Sequence, residues 1–488
     1  MNKKPLLAMS CAAVIAGALP LFAQTLDWTN AGGDRLWNNP LNWNPQAVPA
    51  ITNAVTVGAT ATPTSPVLLA AAPGACNNLT LNGTGGGSLE VATNLTIGGT
   101  LLLANEKQGR FTQTGGSVTV TGALNMAYAN YGEGVLSISG EDSVFHALGA
   151  ISVARYYGAK ATIWLDDGAT ALFDKEAKFE GESHATSPSI IVVSVRGESL
   201  LKYVGNLIFS TGCLSIISNA VMEVGGTWYV KNAARSTIQS GGSVVAATIK
   251  LGQYRDSNSL LIQEAGSLVV ARSGLLISGC DQGGANSATN NVYDMRGGLL
   301  VVTNGMKFAV NGHGVFRQSG GVAEIRTGDV IVQTQTNTGS SLVLPVSSLE
   351  LSGDAEFRQL GGTFYFGSQY NSLPAKVVIR GKTPQISVKT LSFRGGSLCP
   401  VVDADGVAPL SVNGNATFLV GGTVLPEALP NATTAPQTIL TWTGTGTNPQ
   451  NLALHPDVNP AQWKLVVDAA NKKILLSYRH LGTVLIIQ

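Results

Sequence analysis

The densest run of side chains able to do acid–base work is Asp166, Asp167, Asp174, Glu176, Glu180, Glu182 and His184. Glycoside hydrolysis needs two carboxylates held at a fixed separation across a cleft. Asp166-Asp167-Gly168 reads more simply as a turn. Lys175 and Lys178 alternate with the acids, as on a solvated face. A second set, Asp281, Asp294 and Arg296, straddles a polar insertion. There Asp281 suits a turn, and Arg296 lies beside a Gly corner. The histidines, His146, His184, His313, His455 and His480, fall in no Gly-x-Ser-x-Gly or Cys/His context. The sequence contains no HExxH, P-loop or dinucleotide fingerprint. No catalytic or metal-ligating residue is assigned on these grounds, and no cofactor is called for.

Binding chemistry is better represented. Tyr128 and Tyr131 lie in LNMAYANYGEG, and Tyr156 and Tyr157 lie in ISVARYYGAK, with Arg155 and Lys160 beside them. If these two stretches occupy equivalent places in successive repeats, the tyrosines form a stripe that can stack on sugars or meet a partner protein. The plainer reading is edge aromatics that shield corners. Trp28, Trp37 and Trp43 cluster in DWTNAGGDRLWNNPLNWNPQAVP. They suit either a sugar-stacking platform or a cap over the open end of a β-stack, and the cap is the preferred reading.

The elements that must position these residues are short. Apolar or alternating runs such as Val118–Val120, Val135–Ile138, Ile191–Val195 and Leu299–Val302 are separated by Gly, Asn, Asp or Ser, as strands between tight turns are. No amphipathic helix of useful length appears, which argues against a βαβ fold. One phrase recurs: FTQTGGSV (111–118), TIQSGGSV (237–244), LIQEAGSL (261–268), FRQSGGVA (316–323) and FRQLGGTF (357–364). The glycines Gly116 and Gly140 are 24 positions apart, as are Gly242 and Gly266. The 41 positions from Gly321 to Gly362 read as two shortened units. The 32 from Gly266 to Gly298 hold the insertion GCDQGGANSATNN. A period in the twenties with insertions at one place per unit is the signature of a solenoid. Each unit reads as strand, polar corner, strand, Gly corner, strand. Gln113, Gln239, Gln263, Gln318 and Gln359 are expected to stack as an amide ladder.

The chain has 488 residues, 58 of them Gly, with 12% charged and 6% aromatic residues and a net charge of +1. That balance gives no electrostatic support for a nucleic-acid partner. Lys3 and Lys4 followed by the short apolar run Leu6–Leu19 read as a secretory signal cleaved after Ala23. The run is too short to span a membrane. Cys11 lies within it, in a poor lipidation context. Cys76, Cys213, Cys280 and Cys399 show no metal-type spacing and read as buried thiols rather than a disulfide framework.

The expected fold is all-β: a single-stranded parallel β-helix, with residues 1–23 as signal peptide and 24–60 as a Trp-rich N-terminal cap. Residues 61–425 form the β-solenoid, and 426–488 a C-terminal β cap. The cap includes a hairpin over Trp463–Arg479 turning at Asp468–Lys473 and an edge strand over Leu481–Ile487. The unit "apolar-x-apolar-G … Q-x-G-G-x-apolar", clearest over residues 111–170 and 237–364, resembles the repeat associated with type V secretion passengers and PEP-CTERM proteins of Gram-negative bacteria. That resemblance implies a secreted, surface-exposed, adhesin-like rod whose partners are glycans or other cell-surface components. The chain departs from both namesakes. It shows neither a translocator barrel nor a Pro-Glu-Pro signal with a membrane span and basic tail. Because many β-helices act on polysaccharides, a lyase or glycosidase is the alternative. It requires a groove where Asp/Glu or Arg/Lys converge.

Overall fold

The computed structural model describes residues 24–181, 188–252, 258–277, 291–308, 313–332, 347–367, 375–419 and 421–480. The expected signal segment, Glu182, His184, Cys280, Asp281 and the tail Leu481–Ile487 lie outside them. The chain winds into a parallel β-solenoid of about 14 turns. At ~4.8 Å per strand spacing, that gives an axis of roughly 65 Å.

Each coil has three faces. In one coil Gln108–Gln113 lies on the first face, Ser117–Val120 on the second and Leu124–Met126 on the third. The next coil repeats them as Glu133–Ser139, Val144–Ala147 and Ile151–Val153, each parallel to its predecessor. Alternation explains the local choice. In Arg110-Phe111-Thr112-Gln113, Phe111 and Gln113 point in and are buried, while Arg110 and Thr112 point out. Midway along the axis the second and third faces merge into longer strands, such as Val221–Val230 and Leu299–Phe308, with a register shift where the old corner lay. The core is a continuous column in which aromatic rings follow one another. Phe145, Phe173 and Tyr203 are 6.3 and 4.9 Å apart, and Phe366 stacks on Phe393 at 4.2 Å.

Coil length varies while the rise does not. Ser215 pairs with Ser236 after 21 positions, and Phe316 pairs with Leu349 after 33. The difference falls at one edge, between the third-face strand of one coil and the first-face strand of the next. The 41-position Gly interval is not two units. Gly321 lies between first- and second-face strands, whereas Gly362 lies between second- and third-face strands, one coil and one corner later.

The Gln ladder is also corrected. Gln113 pairs with Val91 and Ile138, Gln318 with Met295 and Leu351, and Gln359 with Ile325. No glutamine of the phrase stacks on another. Each buried amide instead ties down a corner. Gln113 Nε2 donates to Gly116 O at 2.7 Å and Val144 O at 3.2 Å. Gln318 Nε2 donates to Gly321 O at 2.8 Å and Glu356 O at 3.0 Å. Gln239 does not join them. Its corner is one residue longer, so Ile238 takes the inward place and pairs with Gln263. Gln239 turns outward, because a one-residue shift exchanges the faces of a strand.

Both ends break the parallel pattern. Thr25–Trp28 pairs parallel with Ala54–Val57 and antiparallel with Trp43–Asn44. The expected hairpin forms from Trp463–Asp468 and Lys473–Tyr478, and the latter runs antiparallel to Gln437–Trp442. Cys76, Cys213 and Cys399 are free and buried.

Candidate functional site

The Tyr-rich corner starts from a backbone device repeated in three coils. Ala104, Ala127 and Ala154 each end a third-face strand with φ of 63°, 47° and 50°. All three are fully buried. L-residues other than Gly resist this left-handed region. Here the small methyl faces the core, and the chain swings outward. The residues that follow, Asn105, Tyr128 and Arg155, begin the corner in successive coils. Cross-coil hydrogen bonds fix it: Tyr128 N donates to Ala104 O at 3.0 Å, Tyr131 N to Tyr157 O at 3.0 Å, and Lys160 N to Gly132 O at 2.8 Å.

The tyrosines meet one residue out of step, because the register sets Tyr128 beside Arg155 and Tyr131 beside Gly158. Tyr128 and Tyr156 pack edge to face with centroids 5.9 Å apart. The Arg155 guanidinium lies 5.8 Å from the Tyr156 ring centre. Tyr131 lies over Gly158, where an added Cβ would fall 2.6 Å from its ring. Tyr131 is 66% exposed and Tyr157 41%. Asn105, Glu106, Tyr128, Asn130, Tyr131 and Tyr156 line a cavity of about 600 Å³, within the size range of ligand pockets. The arrangement offers aromatic faces, phenol hydroxyls and the carboxylate of Glu106 on a rigid edge. Such a surface can stack on and hydrogen-bond a polar ring.

No family model, curated protein or solved structure matches this chain. The site must therefore be judged on its own geometry.

The acid-rich stretch does not converge. Asp166 ends a first-face strand and Asp167 follows it, Asp174 and Glu176 fall between second- and third-face strands, and Glu180 follows a third-face strand. They occupy three different corners of one coil. Asp174 accepts or shares a proton with His146 Nε2 at 3.0 Å, Glu176 pairs with Lys178 at 3.1 Å, and Glu180 pairs with Lys231 at 3.5 Å. Asp294 is paired with Arg296 at 2.9 Å. Among the described residues, no group of three or more His, Cys, Asp or Glu gathers at metal-binding range.

The N-terminal indoles are buried: Trp28, Trp37 and Trp43 are 5%, 0% and 1% exposed. They pack edge to face at 4.9 and 5.0 Å, and Trp43 Nε1 donates to Trp37 O at 2.8 Å. They present no platform for a sugar.

One groove was not foreseen. Arg317, Glu350, Lys376, Arg380 and Glu427 line a cavity of about 610 Å³ on the first face toward the C-terminal end. Arg317 Nε and Glu350 Oε2 are 3.1 Å apart. These residues lie far apart in sequence, and only the coil register brings Arg317 beside Glu350 and Glu350 beside Val378. The only available sequence signal was charge at outward positions of first-face strands.

Proposed function

We propose that this protein is an exported, surface-exposed rod that works passively, holding a rigid recognition edge toward glycans or other cell-surface components. The observation that carries this reading is the Tyr corner, where exposed Tyr131 and half-buried Tyr128 of one coil and Tyr156 of the next line one cavity on an unbroken core. Rigid aromatics bind with little loss of side-chain entropy. The Lys-Lys start and apolar run before Ala23, together with the resemblance of the repeat to secreted passengers, support export. Two measurements test the reading. Fractionation of the native organism should find the chain outside the cytoplasm. Glycan and cell-surface arrays should show binding that Tyr131→Ala with Tyr157→Ala reduces at least tenfold without loss of folded signal. Cytoplasmic retention, or unchanged binding by the double variant, would sink it.

The groove around Arg317, Lys376 and Arg380 favours a second reading, a polysaccharide-active enzyme acting on acidic chains. Basic side chains there match a uronate carboxylate. Incubation with a panel of acidic polysaccharides tests it. New reducing ends or unsaturated products that disappear in Lys376→Ala and Arg380→Ala would establish the enzyme, and an unchanged substrate would leave the rod.

A further inference from the structure

Six of the seven tryptophans are at most 7% exposed; Trp164 is 47% exposed. It points outward from the middle of the first-face strand Lys160–Asp166. Its in-register neighbours on the two adjacent coils are Ser137 and Ser194. These short side chains leave the indole standing alone on a flat sheet. Exposing so large an apolar surface is unfavourable, and among the described residues no ring or cation stacks on it.

Polar groups gather at the same place. Ser137, Trp164, Asp166, Asp167, Ser194 and Arg196 line a depression of about 340 Å³. Asp166 ends the strand and Asp167 begins the corner, held at φ 54°. Arg196 sits at the equivalent place one coil on, its backbone N donating to Leu165 O at 2.9 Å. Asp166 Oδ1 accepts from Asp167 N at 3.0 Å. Among the described residues none of these three charged side chains is engaged in an ion pair. Two carboxylates, one of them holding the Asp167 amide, and a guanidinium therefore stand beside the indole with no ion-pair partner among the described residues.

We propose that this depression is a binding subsite for a ring of a neutral glycan. The C–H face of a pyranose packs on Trp164. Its vicinal hydroxyls donate to the Asp166 and Asp167 carboxylates and accept from Arg196, the donor and acceptor roles those groups have. The charge set decides between ligand classes. Two acids and one base disfavour a uronate or sulfated sugar, and Arg196 disfavours a cationic ring. The volume lies at the small end of ligand pockets, which suits a sugar unit rather than a folded partner. The site is separate from the Tyr corner, at the opposite end of the same strand, and does not depend on it.

The test is binding of the full chain to neutral gluco-, manno- and galacto-oligosaccharides, with acidic oligosaccharides as controls. It is read by tryptophan fluorescence and by glycan array. At least one neutral series should bind and protect the exposed indole from iodide quenching. Trp164→Ala should lower that affinity tenfold or more, Asp166→Asn with Arg196→Gln should lower it at least fivefold, and Lys382→Ala, at a distant corner between Ala375–Arg380 and Gln385–Val388, should leave it unchanged. Trp164→Phe should retain part of the binding, which separates loss of stacking from loss of fold. Three results would each overturn the proposal: no neutral series binds, only acidic sugars bind, or Trp164→Ala binds as the parent does. Loss in Tyr131→Ala but not in Trp164→Ala would also overturn it, while leaving the Tyr corner as the binding edge.

Discussion

Replacing Gln318 probes how the corners are held. Its Nε2 donates two well-formed hydrogen bonds, to Gly321 O and Glu356 O, each worth about 0.5–1.5 kcal/mol net. Its Oε1 is buried without a partner, which costs about 1–3 kcal/mol. Gln318→Leu removes both, and its in-register neighbours Met295 and Leu351 are apolar. The variant should therefore lie within about 1 kcal/mol of the parent, since the two terms oppose each other. Gln318→Glu is the sharper change. Its carboxylate would face carbonyl oxygens and must take up a proton to donate to them. Holding a Glu with an ordinary pKa of about 4.3 protonated at pH 7 costs about 3.7 kcal/mol. The folded-state pKa of this Glu is raised above its unfolded value. Its contribution is thus fully present below about pH 4 and is lost as pH rises toward 7. Because long repeat arrays do not unfold in one step, the assay should be local. Hydrogen exchange at the amides of Val322 and Glu356, which donate to Gly298 O and Gly321 O, should show Gln318→Glu opening about 3 kcal/mol more easily at pH 7 than at pH 4, after subtraction of the parent. A pH-independent difference would refute the buried amide-to-carbonyl arrangement. A loss above 3 kcal/mol in Gln318→Leu would refute the balance drawn for the orphaned oxygen.

Other consequences are simpler to measure. Gly321 has φ +72° and an added Cβ would sit 2.4 Å from Gly298 O, whereas Gly33 has φ +77° and open space around it. Gly33→Ala should cost only the left-handed penalty of about 1–2 kcal/mol, and Gly321→Ala clearly more, as denaturation of the two variants will show. Burial pushes the Cys76 thiol up to about 12 and Cys399 up to about 11, and raises Cys213 as well. In a background with Cys11 and Cys280 changed to Ser, a thiol reagent at pH 8 should leave the native chain unmodified and react fully after denaturation; fast native labelling would contradict the burial. A chain truncated after Thr447 loses the antiparallel partner of Gln437–Trp442. It should self-associate more than the parent in light scattering, because an open parallel edge invites pairing; an unchanged mass would show that the hairpin does not guard that edge.

The coil was legible because its signals are local. Alternation set the inward residues, Gly supplied the corners, and the Asp468–Lys473 turn with apolar arms gave the hairpin. Placement of each phrase in the coil was not legible. FRQSGGVA and FRQLGGTF look alike, yet they turn different corners, because which corner a Gly pair serves depends on how many residues the preceding corner consumed. The same count set Gln239 outside while Gln263 went inside. The Tyr corner was readable since both halves follow an alternating triplet, Leu124–Met126 and Ile151–Val153, and the buried Ala after it. Trp164 was not. Alternation alone gave it an outward position, but its isolation depends on Ser137 and Ser194, 27 and 30 positions away.

The edge where coil length varies has a thermodynamic consequence. Each coil closes a loop of chain onto the coil before it, and doubling the length of a flexible loop costs only about 0.6 kcal/mol. The 21- and 33-position coils thus differ little in closure entropy, although one is 12 positions longer than the other. Sequence added at that edge leaves the in-register pairs on all three faces untouched. A foreign peptide grafted there would lengthen one coil and leave the axis as it was, so the shape of the rod and the chemistry of its edge are independently variable.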